Sequence, residues 1–155
     1  MIPMYVQKMQ EHLDRGERNA RATLAKEPDR PSTKRILANI LKTSRRVEEA
    51  LVLLESVGAV YTSDANYWSE LGFCYLLLGR YDEGYSAISR AMNLEPSRCK
   101  GRDGLDNRFF CNLCERLQRL AASAPEGQSI QLDKDELWEE YWQEISRPWR
   151  ETWGE

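Results

Sequence analysis

The chain has 155 residues, 41% of them apolar and 30% charged, with a formal net charge of −3. That is enough for one core of ordinary size, alone or with an appendage, whereas two unrelated domains would each be marginal. The composition excludes a fully disordered polymer and a global basic field for nucleic acid. No apolar run reaches the roughly eighteen residues of a membrane-spanning helix, and the start offers no apolar secretory signal, so a cytoplasmic protein without a membrane partner is expected.

From the N-terminus, Tyr5 to Leu13 reads as one helix, and the stretch LDRGERNARATLAKEPDR as a second, degenerate one ahead of the turn at Pro28. Leu37, Ala38 and Leu41, then Val47, Ala50 and Leu54, fall at helical spacing and predict helices over about 32–43 and 46–58. The next segment, residues 65–98, is the most informative. Trp68, Leu71 and Tyr75 lie three and four apart, so they share one helical face, expected on the inside of a hairpin. Gly72 lets a second helix cross close by, and Gly79 ends the first helix. Tyr81, Ile88 and Ala91 then form the inner stripe of the second helix until Pro96 prevents its continuation.

These residues occupy a frame of thirty-four positions, with Trp68 fourth, Leu71 and Gly72 seventh and eighth, Tyr75 eleventh, Ala91 twenty-seventh and Pro96 thirty-second. The segment therefore resembles a tetratricopeptide repeat. One repeat cannot bury its own apolar faces, and the same frame shifted back gives a second repeat at 31–64 and a degenerate one at 1–30. What the resemblance implies is an all-α chain, an α-solenoid of about three helical hairpins. Beyond Arg98 the frame decays into the loop SRCKGRDG. Leu105, Phe109, Phe110, Leu113, Leu117 and Leu120 then line a stripe that predicts a capping helix over 103–123, closing a repeat domain that spans 1–124.

A linker at 125–132 leads to an acidic tail at 133–155, where eight acidic residues stand against three basic ones, a net −5. DKDE at 133–136 has a capping-box pattern, and Leu137, Trp138, Tyr141, Trp142, Ile145 and Trp149 repeat at helical spacing. Pro148 is expected to end or kink this helix. So many aromatics need a partner surface. Three readings stand side by side. The tail folds back as a cap, docks on another protein through Trp138, Tyr141, Trp142 and Trp149, or masks the chain's own binding face; self-association through it is a fourth outcome.

In tetratricopeptide proteins the first helix of each repeat faces a bound peptide. Carried over position by position, the resemblance assigns that role to Ser32, Arg35, Asn39, Lys42 and Thr43, and to Asn66, Ser69, Phe73, Leu76 and Leu77. Arg35 and Asn39 also resemble the first pair of the carboxylate-clamp sub-family, and Lys100 falls near a later cation. Glu70 and Gly104 depart from that pattern, so a clamp is not expected. The size and three-hairpin plan are similar to bacterial type III secretion chaperones of the tetratricopeptide class. The expected function is non-enzymatic: an adaptor or chaperone that holds a protein or peptide, without cofactor.

Two alternatives have sequence support. Arg45, Arg46, Arg98, Lys100 and Arg102 form a local basic set for RNA, and Cys99, Cys111 and Cys114 with His12 offer a zinc-ligand set of poor spacing. The four cysteines, Cys74 included, are otherwise expected to remain thiols. The single histidine has no evident nucleophile or orienting acid beside it, and no phosphate loop or nucleophile elbow is present.

Overall fold

A computed structural model describes residues 1–97, 105–128 and 130–154, with the side chains of 105–107 left aside. The described residues are all-α, without a strand: α1 (Met4–Lys26), α2 (Pro31–Thr43), α3 (Val47–Ser56), α4 (Ala65–Leu77), α5 (Tyr81–Leu94), α6 (Leu105–Ser123) and α7 (Lys134–Trp153). Packing divides the chain into two units, Met1–Val60 with Glu140–Glu155, and Tyr61–Glu139. None of the described helices is long and apolar enough to cross a membrane.

In the first unit α1 packs on α2 and α2 on α3. Leu37, Ala38, Leu41, Ala50, Leu51 and Leu54 are buried there. The break expected near Leu13 does not occur: α1 runs unbroken for 23 residues, so residues 1–30 hold one long helix and no hairpin. Gly16 lies within this helix. A Cβ there would stand 3.0 Å from Ile40 Cδ1, so the glycine lets α2 approach closely. The neighbouring polar positions support the helix through (i, i+4) contacts, Gln10 donating to Asp14 and Arg21 to Glu17.

In the second unit α4 packs on α5 and α5 on α6. The Asp64 carboxylate accepts from the Tyr67 amide at 3.1 Å and caps α4. Gly72 and Gly84 mark the crossing of α4 and α5: an added Cβ at Gly72 would lie 2.6 Å from Ile88 Cγ1, and one at Gly84 2.5 Å from Leu76 Cδ2. The backbones meet there because neither residue carries a side chain. Phe73, Leu76, Ile88 and Ala91 are fully buried around this crossing.

The turns of the two helical pairs match. After α2, Arg45 adopts φ 64°, and the Arg46 amide donates to the Leu41 carbonyl at 2.8 Å. After α4, Gly79 adopts φ 79°, and the Arg80 amide donates to the Tyr75 carbonyl at 2.9 Å. Both are left-handed helix endings that satisfy carbonyls the helix leaves open. Each corresponding residue is thirty-four positions from its counterpart, as are the starts of α2 and α4 and of α3 and α5.

The last helix is capped as its sequence predicts, the Asp133 carboxylate accepting from the Asp135 and Glu136 amides at 3.0 and 3.2 Å. It continues through Pro148 to Trp153 instead of ending near Arg147. Proline removes the amide that would serve the Glu144 carbonyl. Next to that gap the Arg150 guanidinium reaches back, donating to the Gln143 carbonyl at 2.7 Å and to the buried Ser146 hydroxyl at 3.2 Å. These contacts tie the turn after the proline to the turn before it, although neither reaches the Glu144 carbonyl.

Candidate functional site: the helix faces assigned to a bound segment

The residues that the repeat resemblance assigns to a ligand separate into two environments. In the second unit, Asn66 is exposed and Leu77 half-buried, but Ser69, Phe73 and Leu76 are closed off, with 1%, 0% and 0% of their surfaces exposed. Phe73 meets Phe109 and Phe110 edge-on, at centroid distances of 5.6 and 5.8 Å. The chain's own α6 therefore occupies the place beside Phe73. Lys100 lies outside the described residues.

In the first unit, Ser32 is exposed, and Arg35, Asn39 and Thr43 are half-buried. Lys42 is buried, 5% exposed, with its Nζ donating to Asn39 Oδ1 at 3.2 Å and standing 5.4 Å from the centre of the Tyr141 ring. A lysine is seldom this buried without partners, because desolvating an ammonium is costly. The amide oxygen and the negative face of the phenol ring supply compensation.

Tyr141 belongs to a row of aromatic contacts that the C-terminal helix makes with cationic or imidazole groups of this unit. His12 lies 5.3 Å from Trp149, centroid to centroid, and Lys8 Nζ stands 4.8 Å over Trp153. Lys8 and His12 are four apart on α1, as Trp149 and Trp153 are on α7, and they pair in reverse order. The end of α7 thus runs antiparallel along the first turns of α1. Of the aromatics expected to dock, Tyr141 is buried, while Trp138, Trp142 and Trp149 are half-buried. The contacts of Lys8, His12 and Trp153 were not anticipated from the sequence, although the matching four-residue spacings were there to be seen.

Beside this ladder stands an ion-pair network. The Arg46 guanidinium donates to both carboxylate oxygens of Glu17, and Arg21 Nε donates to one of them at 2.9 Å. These hydrogen bonds, Arg46's first, hold the Glu17 carboxyl down at about 2. Arg46, offered above as part of an RNA-binding set, is thereby committed to a carboxylate; Arg98, Lys100 and Arg102 lie outside the described residues.

The second unit has an open cleft of about 380 Å³ between α4 and α5, lined by Trp68, Leu71, Tyr75, Glu83 and Arg90 among others. The Arg90 guanidinium lies 4.3 Å over the Trp68 ring and that of Arg80 4.6 Å over Tyr75. Arg80 also makes a paired contact with Glu83, 2.7 Å on both arms, which lowers the Glu83 carboxyl below its ordinary range. Of the three residues expected to share an inner face, Leu71 and Tyr75 are buried and Trp68 is half-buried beneath Arg90.

The cysteines depart from the expectation of four thiols. Cys111 is disulfide-bonded, while Cys74 and Cys114 are free and buried. Spacing along a chain does not show which sulfurs the fold brings together, so the bridge was not legible. A bridged Cys111 is no thiolate ligand for zinc, and burial pushes the Cys114 thiol up, away from reactivity. Among the described residues no three His, Cys, Asp or Glu side chains group as metal ligands. Cys99 lies outside the described residues. No protein-family model matches the chain, and comparison with curated proteins finds no match.

Proposed function

We propose that the chain is a non-enzymatic helical-repeat module of the tetratricopeptide kind that holds a segment of another polypeptide, as an adaptor or chaperone. The observation that carries this reading is the burial of Lys42 beneath Tyr141. A first-helix position assigned to a ligand holds an aromatic side chain from a helix distant in sequence, so this face is suited to gripping a helical segment. The thirty-four-residue correspondence of the turns at Arg45 and Gly79 supports the repeat assignment. In this reading α2–α3 and α4–α5 are two repeats, α1 is a long N-terminal helix in place of a third hairpin, and α6 closes the second repeat.

The test is capture of polypeptides from native extract by the full chain and by Arg35→Glu, with circular dichroism on both. Arg35 is half-buried on α2 beside the Lys42 face. The reading expects proteins bound by the native chain, resistant to ribonuclease and lost from the variant at unchanged helicity. Material released by ribonuclease, with binding that falls steeply with salt, would favour the RNA alternative instead.

A further inference from the structure

We propose that the face of α1 and α2 bearing Lys8, His12 and Lys42 is a docking site for an acidic, aromatic amphipathic helix of a partner protein, which binds by taking the place of the chain's own α7. The proposal rests on the reading of this protein as a polypeptide-binding module, and it names the chemistry of the ligand.

The chain itself displays that chemistry. The segment on this face carries Tyr141, Trp149 and Trp153, spaced by eight and four residues, and their rings meet Lys42, His12 and Lys8. Within this unit the helix, from Glu140 on, carries Glu140, Glu144 and Glu151 against Arg147 and Arg150, with Glu151 exposed. Rings over the Lys8 and Lys42 ammonium groups match these cations through the ring quadrupole, and carboxylates on the same stretch of helix add charge of opposite sign to them. A basic or purely aliphatic helix would lack both.

The structure also shows where the occupant gives way. Tyr141 is buried at 5% exposed, whereas Trp153, at the far end, is 45% exposed. Between them Pro148 removes the backbone hydrogen bond to the Glu144 carbonyl, and the Arg150 side chain bonds to Gln143 and Ser146 instead. The stretch beyond Pro148 is held by the Lys8–Trp153 cation–π contact, worth a few-fold in an equilibrium constant, and by the ring contact of half-buried Trp149 with His12, and it leaves first. An incoming helix gains a foothold on Lys8 and His12 before it displaces Tyr141.

A tethered helix acts at an effective concentration of about millimolar, so a free competitor at micromolar concentration binds poorly until the tether's contacts are weakened. This fixes the experiment. A fluorescent peptide spanning residues 133–154 is titrated by anisotropy into the full chain and into the full-length double variant Trp149→Ala, Trp153→Ala. The expected result is binding about tenfold tighter to the variant than to the native chain. A peptide with alanine at 141, 149 and 153, or one with lysine replacing Glu139, Glu140 and Glu151, should lose that gain. Lys8→Glu added to the double variant should lose it too, and because Lys8 is only half-buried this change leaves the fold intact, as circular dichroism would check.

Equal binding to native chain and double variant, no binding to either, or equal binding of the lysine-bearing peptide would overturn the proposal. Its failure is separable from failure of the broader reading. Proteins still captured by the native chain and lost with Arg35→Glu would leave the module reading standing with a different ligand, whereas absence of all capture would remove that reading first.

Discussion

Gly16 and Gly72 both lie inside helices, and replacing each with alanine should move stability in opposite directions. At Gly72 the new methyl would sit 2.6 Å from Ile88 Cγ1, 3.0 Å from the Gly84 carbonyl oxygen and 3.1 Å from the Ile88 amide nitrogen. Two of these three atoms are backbone, and Ile88 is fully buried, so α4 and α5 must separate to admit it. Overpacking of this kind costs about 1–3 kcal/mol, of which the better helix propensity of alanine returns at most about 1. The net expectation for Gly72→Ala is a loss of about 1–2 kcal/mol. At Gly16 the only close atom is the Ile40 Cδ1 methyl at 3.0 Å, the far end of a half-buried side chain that can turn aside. There the propensity term dominates, and Gly16→Ala should gain about 0.5–1 kcal/mol. Urea unfolding followed by circular dichroism measures both, and amide hydrogen exchange assigns each change to α1–α2 or α4–α5. A Gly72→Ala variant as stable as the native chain would refute the close crossing, and a destabilised Gly16→Ala would refute the account of α1.

Arg45 holds a left-handed conformation that Gly79 holds without cost, so Arg45→Gly should raise the urea midpoint by an amount equivalent to about 0.5–1 kcal/mol. Phe73→Ala should cost about 3–5 kcal/mol in the same assay, because the ring is fully buried against Phe109 and Phe110; a merely ligand-facing phenylalanine would cost far less. Glu17 has a folded-state value near 2, depressed from an ordinary 4.5, so its contribution is complete above pH 4.5 and is lost as pH falls toward 2. Acid titration of helicity should therefore show native chain and Glu17→Gln converging in that window, with a difference at neutral pH of about 0.5–1 kcal/mol, since the pair is partly solvated.

The elements that could be read from sequence were those whose local signals agreed. Around α4 and α5, apolar spacing, Gly72, Gly79 and Pro96 all pointed one way, and the observed bounds follow them. Residues 1–30 read as two helices in sequence, whereas α1 is continuous, and the reason for Gly16 within it lies in Ile40 on another helix. Of the two outcomes expected at Pro148, an end or a kink, the helix does not end, and the Arg150 side chain ties together the turns on either side. The site was legible in residue type but not in state. Phe73 and Leu76 fall where the repeat frame places ligand contacts, yet Phe109 and Phe110, thirty-odd residues on, already face Phe73. Which apolar stripe covers which face is a long-range choice that periodicity does not encode.

In the proposed role the Lys8–His12–Lys42 face grips polypeptide and is held by the chain's own last helix. Quantitative capture from native extract by the full chain and by the Trp149→Ala, Trp153→Ala double variant, each with and without excess peptide 133–154, tests it most directly. More protein should be bound by the variant than by the native chain, and the peptide should release it. Identical capture by both proteins, or capture that the peptide leaves untouched, would contradict it.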